Sequence, residues 1–177
     1  MAVWKLCSHM QSLNSLKLNR VDKTPFVLAA LPQSVRSVDI GYAELKDVSV
    51  YLNNFASAGR QVLSPLQLRF SRLDFRSCHG PSNAREASHA VASHLMACPL
   101  LFLSVERVEK VPTSAVLFEF FDPLPQLAHH LTSVSMGSNS VLDMVFEDTI
   151  APTDLQHLAE LTPGLKGRSA SSSTGLL

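Results

Sequence analysis

A chain of 177 residues that is 46% hydrophobic and 17% charged is long enough for one domain and too apolar to stay wholly disordered. Its 15 basic and 15 acidic residues cancel. With no basic excess to neutralise phosphates, the balance argues against nucleic acid or an anionic membrane as a partner.

The N-terminal run MAVWKLCSHMQSLNSLKL is broken by Lys5, Ser8, His9 and Gln11, so a signal peptide is not expected there. The longest apolar run, ACPLLFLSV, is far shorter than the roughly 20 residues of a membrane span. Cys7, Cys78 and Cys98 form a sparse, odd set, read as reduced thiols of a cytoplasmic protein. The first ordered element is expected at 13–21, LNSLKLNRV. It carries the frame apolar-x-x-apolar-x-apolar-x-x, closed by Asn, Cys or a small apolar residue.

The frame returns at 35–43 (VRSVDIGYA) and reads as a strand. A rival copy, LKDVSVYLN at 45–53, is set aside, because the copy at 35 extends to the longer pattern, with Leu45 two residues after Ala43. Between the frames, Val48, Leu52 and Phe55 fall on one face of a helix. The third copy is FSRLDFRSC at 70–78. A helix is then expected over SNAREASHAVASHLMAC, with Ser82 or Asn83 as N-cap, Glu86 in the first turn, and Ala84, Ala87, Val91, Leu95 and Cys98 along one stripe. Pro99 stops it, and the fourth copy follows at 100–108 (LLFLSVERV). VLFEFFDP at 116–123 is too apolar for a free loop, and its alternation would suit a strand. LPQLAHHL at 124–131 reads as a proline-bounded turn that leads into the fifth copy, LTSVSMGSN at 131–139. DLQHLAELTPGL is a weakly amphipathic turn. From residue 163 the Gly/Ser-rich tail reads as disordered, which leaves a domain over 1–162.

A strand that turns alternate residues inward cannot bury its apolar face alone, whereas stacked copies cover one another. The frame, its later spacing of about 30 residues and the segment HLMACPLLFLSV resemble the leucine-rich repeat, in particular its ribonuclease-inhibitor-like and cysteine-containing subtypes. The resemblance spans residues 13–141. In the closing position only Cys78 and Asn139 match the family's usual types, and Val, Phe and Met often replace Leu. It implies an α/β solenoid of about five units, starting near 13, 35, 70, 100 and 131, with a curved parallel sheet on the concave side and helices or helical turns on the convex side.

The resemblance also implies a protein-binding scaffold that is not an enzyme and that meets a protein partner on the concave sheet. The side chains expected outward there include Lys17, Asp39, Arg72, Asp74, Arg76, Phe102 and Glu106, with Tyr42 and Arg107 just beyond the strands. No catalytic residue, cofactor or metal is implied. The apolar AVWKLC run suggests packing against another subunit or membership of a larger array.

Other chemistries are weaker. Cys78, His79, His89, His94 and Cys98 are all zinc-ligand types, but no Cys-x-x-Cys pair is present, and the frame already uses both cysteines as core positions. No G-x-S-x-G elbow marks a nucleophile, and GYAELKD and GPSNARE are single-glycine turns rather than phosphate cradles. His129 and His130, and the acidic pairs Glu119 with Asp122 and Glu147 with Asp148, read as solvated surface groups. A small α/β enzyme with its site at the strand C-terminal edge, or a zinc-stabilised module, are the alternatives.

Overall fold

A computed structural model describes residues 11–19, 31–57, 65–137 and 152–163. Cys7, the AVWKLC run, the Phe55 side chain, Glu147, Asp148 and the tail from 164 lie outside the described residues.

The chain alternates short strands with helices. In order they are β1 (Ser15–Leu18), β2 (Ser37–Ile40), β3 (Ala43–Glu44), α1 (Leu45–Ser57), β4 (Leu66–Phe70), β5 (Leu73–Asp74), α2 (Pro81–Ala97), β6 (Leu101–Val105), β7 (Arg107–Val111), α3 (Ser114–Phe121), α4 (Pro125–Ala128), β8 (Ser133–Met136) and α5 (Pro152–Leu161). Among the described residues the strands form two parallel four-stranded sheets, ordered β1-β2-β4-β6 and β3-β5-β7-β8. The fold is therefore mixed α/β with two sheets, where the sequence suggested one.

The second sheet arises because the chain turns a corner after each of β2, β4 and β6. Backbone pairing continues round the corner: Gly41 N–H donates to Leu18 O (2.6 Å), Ser71 N–H to Ile40 O (2.9 Å) and Glu106 N–H to Phe70 O (2.9 Å). These corner peptides thus keep their hydrogen bonds through the bend. Gly41 is required at one corner, since a Cβ on it would lie 2.5 Å from Asn19 O.

Strand register corrects the expected frame. Leu16 faces Val38, Val38 faces Leu68, and Leu68 faces Leu103. The frames at 13, 35 and 100 therefore share the first sheet, but their neighbour between 35 and 100 begins at Pro65. The frame at 70 straddles the corner instead: Leu73 pairs with Val108 in the second sheet. Val134 also faces Val108, so the frame at 131 belongs to the second sheet as well. The reason lies in the pattern itself. Leu68, Phe70, Leu73 and Phe75 read apolar-x-apolar-x-x-apolar-x-apolar, so the frame fits again one corner later. Apolar spacing cannot separate the two fits, whereas backbone pairing can.

The inward residues of both sheets meet the helices in one core. β4 shows the alternation plainly, with Leu66, Leu68 and Phe70 buried and Gln67 and Arg69 exposed. α1 buries Leu45, Val48 and Leu52, and α2 buries Ala84, Ser88 and Val91. α2 packs against both α1 and α3. It begins at Pro81 after Gly80, one or two residues before the expected cap, and it ends at Ala97, one residue short of the expected Cys98.

VLFEFF is helical rather than extended, and belongs to α3. The Thr113 hydroxyl accepts from Val116 N–H (3.4 Å) as its N-cap. Val116, Leu117, Phe120 and Phe121 are buried, a one-sided helical face. Phe120 meets Phe75 edge-on at 5.4 Å and Phe121 edge-on at 4.9 Å. That aromatic packing, not local alternation, selects the helix.

Candidate interaction surface

The outward residues of the first sheet line up in rows across the strands. One row is Ser15, Ser37, Gln67 and Phe102, and the next is Lys17, Asp39, Arg69 and Ser104. The corrected register thus places Gln67 and Arg69 where Arg72, Asp74 and Arg76 were expected. The signal for them was the alternation in LQLRF, which the frame at 70 overrode.

Charges on this face pair across strands. Lys17 Nζ lies 3.5 Å from Asp39 Oδ2, and the Ser71 hydroxyl donates to Asp39 Oδ1 (2.8 Å). Arg69 Nη2 donates to Glu106 Oε2 (2.5 Å), and Arg107 Nε stands 3.8 Å from Glu106 Oε1. The basic partner of each ion pair is more than half exposed, so each pair contributes little to stability. Phe102 differs: it is a large apolar side chain left 54% exposed. It lines a cleft of about 660 Å³, which takes in Gln67, Arg69, Ser104 and Glu106 and is walled by Leu95, Gln126, His130 and Thr132.

Tyr42, Arg72, Asp74 and Arg76 gather instead on the second sheet and its approach. Asp74 was expected outward and exposed, but it is fully buried. Its neighbours close over it. Asp74 accepts from the Tyr42 hydroxyl (2.9 Å), from Arg76 N–H (2.8 Å) and from Arg76 Nε (2.9 Å) and Nη2 (2.6 Å), while Lys110 Nζ stands 3.6 Å away. Arg76 Nη2 also donates to the Tyr42 hydroxyl (2.9 Å). Lys110 takes a left-handed backbone (φ 55°) at an irregularity between Val108 and Val111, which the sequence did not signal. Arg72 remains exposed, 4.0 Å from Glu109.

Titration follows from this geometry. Burial pushes the Asp74 carboxyl up, but hydrogen bonds from the Arg76 side chain, the Arg76 backbone and Tyr42 outweigh it and hold the carboxyl below its ordinary range. Burial, together with the hydrogen bond to Asp74, pushes the Tyr42 phenol up to about 12. The cluster is a satisfied ionic knot, with Asp74 fixed as the anion.

The other candidate chemistries stay dispersed. Among the described residues no three His, Cys, Asp or Glu side chains gather to hold a metal. Cys78 is buried and its thiol points to Gly80 O (3.4 Å). Burial pushes that thiol up, away from a reactive thiolate. Glu119 pairs with Arg85, while Asp122 meets His157 at 2.9 Å. No described helix is long and apolar enough to cross a membrane.

No protein-family model matches the chain, and no curated protein or solved structure matches it.

Proposed function

We propose that the chain is a non-enzymatic, cytoplasmic protein-interaction module, built as a leucine-rich-repeat solenoid and binding a protein partner through the outward face of its first sheet. The observation that carries this reading is Phe102, more than half exposed beside a broad cleft on a face of paired charges. Exposed aromatic and arginine side chains dominate the energetics of protein interfaces. The repeat part of the reading rests on the frames at 13, 35 and 100, which lie on parallel strands with their apolar positions in register. It rests also on the helices that follow the strand pairs. On this reading the working anchors are Phe102, Arg69, Gln67, Lys17, Asp39, Glu106 and Arg107. Arg72 is peripheral, and Tyr42, Asp74 and Arg76 brace the second sheet.

Affinity capture from a cell extract, with the wild-type chain beside Phe102→Ser and Arg69→Ala, tests the surface. Proteins retained by the wild type and lost from both variants are the expected result. A captured set indifferent to both changes would count against this face. Solution scattering tests the architecture, with an elongated, curved particle expected and a compact globule contrary to a solenoid.

A further inference from the structure

The cleft beside Phe102 joins an apolar wall to a group of charges. Phe102 lines it together with Leu95, which comes from the last turn of α2. Ser104 shares the outward face with Phe102, two residues and about 7 Å further along β6. Arg69 stands opposite Ser104 on the neighbouring strand and lines the same cleft. Polar capacity is left over in this space. Gln67, Ser104, Gln126 and His130 all line it, and none of their side chains forms a hydrogen bond or ion pair among the described residues.

The charges do not balance. Among the described residues, Glu106 is the one carboxylate lining the cleft. It serves two guanidiniums, with Arg69 Nη2 on its Oε2 and Arg107 Nε 3.8 Å from its Oε1. Further along the face Lys17 pairs with Asp39. Lys17, Arg69 and Arg107 therefore answer to Asp39 and Glu106, three positive charges against two negative, and the surplus sits around Glu106. Both guanidiniums are more than half exposed. Each carries five N–H donors, so both keep donors for a second anion.

We propose that this cleft takes a short segment of a partner protein in which a bulky apolar side chain is accompanied by a carboxylate. This rests on the reading of the first sheet as the partner-binding face. The apolar side chain packs on Phe102 and Leu95, where burying it also removes the exposed ring from water. The carboxylate joins Glu106 between Arg69 and Arg107, whose planar guanidiniums suit carboxylate oxygens in pairs. A basic segment would meet a surplus of its own sign there. The step from Phe102 to Arg69 and Glu106 sets the spacing, with the acid two to four residues from the apolar anchor in an extended segment.

The test uses the full chain and a phage-displayed library of ten-residue linear peptides. Recovered peptides are expected to share a bulky apolar residue with Asp or Glu two to four positions away. A synthetic copy of one is compared with its amide form, in which Asn or Gln replaces that acid. Wild type should bind the amide form about tenfold more weakly. A chain carrying both Arg69→Gln and Arg107→Gln should bind the two forms alike. Glu106→Gln removes the competing carboxylate and should tighten the acidic form by about threefold or more. The proposal is overturned if the recovered peptides lack an acid at that spacing, or if wild type binds the amide form as well as the acid. It is equally overturned if Glu106→Gln weakens the acidic form while the urea midpoint of the chain is unchanged. The comparison of the two peptides on wild type needs no variant, so it decides even where a substitution disturbs the fold. In each of these cases, binding that still weakens with Phe102→Ser leaves the surface reading standing. Peptides indifferent to Phe102, or no peptide recovered, would remove both.

Discussion

The two sheets share a backbone plan and treat their outward polar groups in opposite ways. On the second sheet, Tyr42, Arg76 and Lys110 converge on Asp74 and bury it completely. On the first, Lys17 pairs with Asp39 and Arg69 with Glu106 on a partly exposed face, and Phe102 stands apart, more than half exposed. A buried carboxylate must have its partners within the fold, so that region serves stability. An exposed ring gains little from the fold itself, so that region is available for binding.

The sharpest way to break this contrast is Asp74→Ala. It removes several charged hydrogen bonds at a buried position and should cost about 2–3 kcal/mol in urea unfolding. A change under roughly 0.5 kcal/mol, the range of ordinary surface substitutions, would show that the knot is decorative. Its pH dependence should follow. The folded Asp74 carboxyl lies below its unfolded value, so its contribution is complete above about pH 4 and is lost as pH falls through the folded value. Wild type should therefore lose stability more steeply than Asp74→Asn on acidification below pH ~4; parallel curves would assign the acid sensitivity elsewhere.

Gly41→Ala probes the corner that joins the two sheets. The added Cβ would press on Asn19 O, and the strain should cost about 1–3 kcal/mol by thermal melting. An unchanged melting temperature would mean that β1 yields freely at that edge. The smallest stability effect belongs to Phe102→Ser, expected within about 0.5 kcal/mol of wild type because the ring is already in water. A large loss of stability there would turn Phe102 from a binding residue into a packing one.

How much of this was legible beforehand varies by element. Helix α2 announced itself through Pro81, a stripe of apolar residues and Pro99, all local signals. Helix α1 was visible in Val48 and Leu52 for the same reason. Helix α3 was not, because VLFEFF satisfies two periods, and only the contact of Phe120 with Phe75 decides between them. The outward residues of β1, β2 and β6 were placed correctly, since alternation within a strand is a local property. Those of β4 were displaced onto 72–76 by a pattern that fits twice.

The sequence alone determined that strands and helices alternate, that the strands bury one face, and that the outward face would mix charges with an aromatic. These follow from side-chain periodicity, which each short segment carries within itself. The tertiary structure decided which copies of the frame lie side by side, that the chain bends into two sheets, that Asp74 is buried rather than offered, and that α4 stands where another strand would pair with β6. Each depends on backbone groups meeting across long separations in sequence. Hydrogen-bond register is a relation between segments, and no single segment contains it.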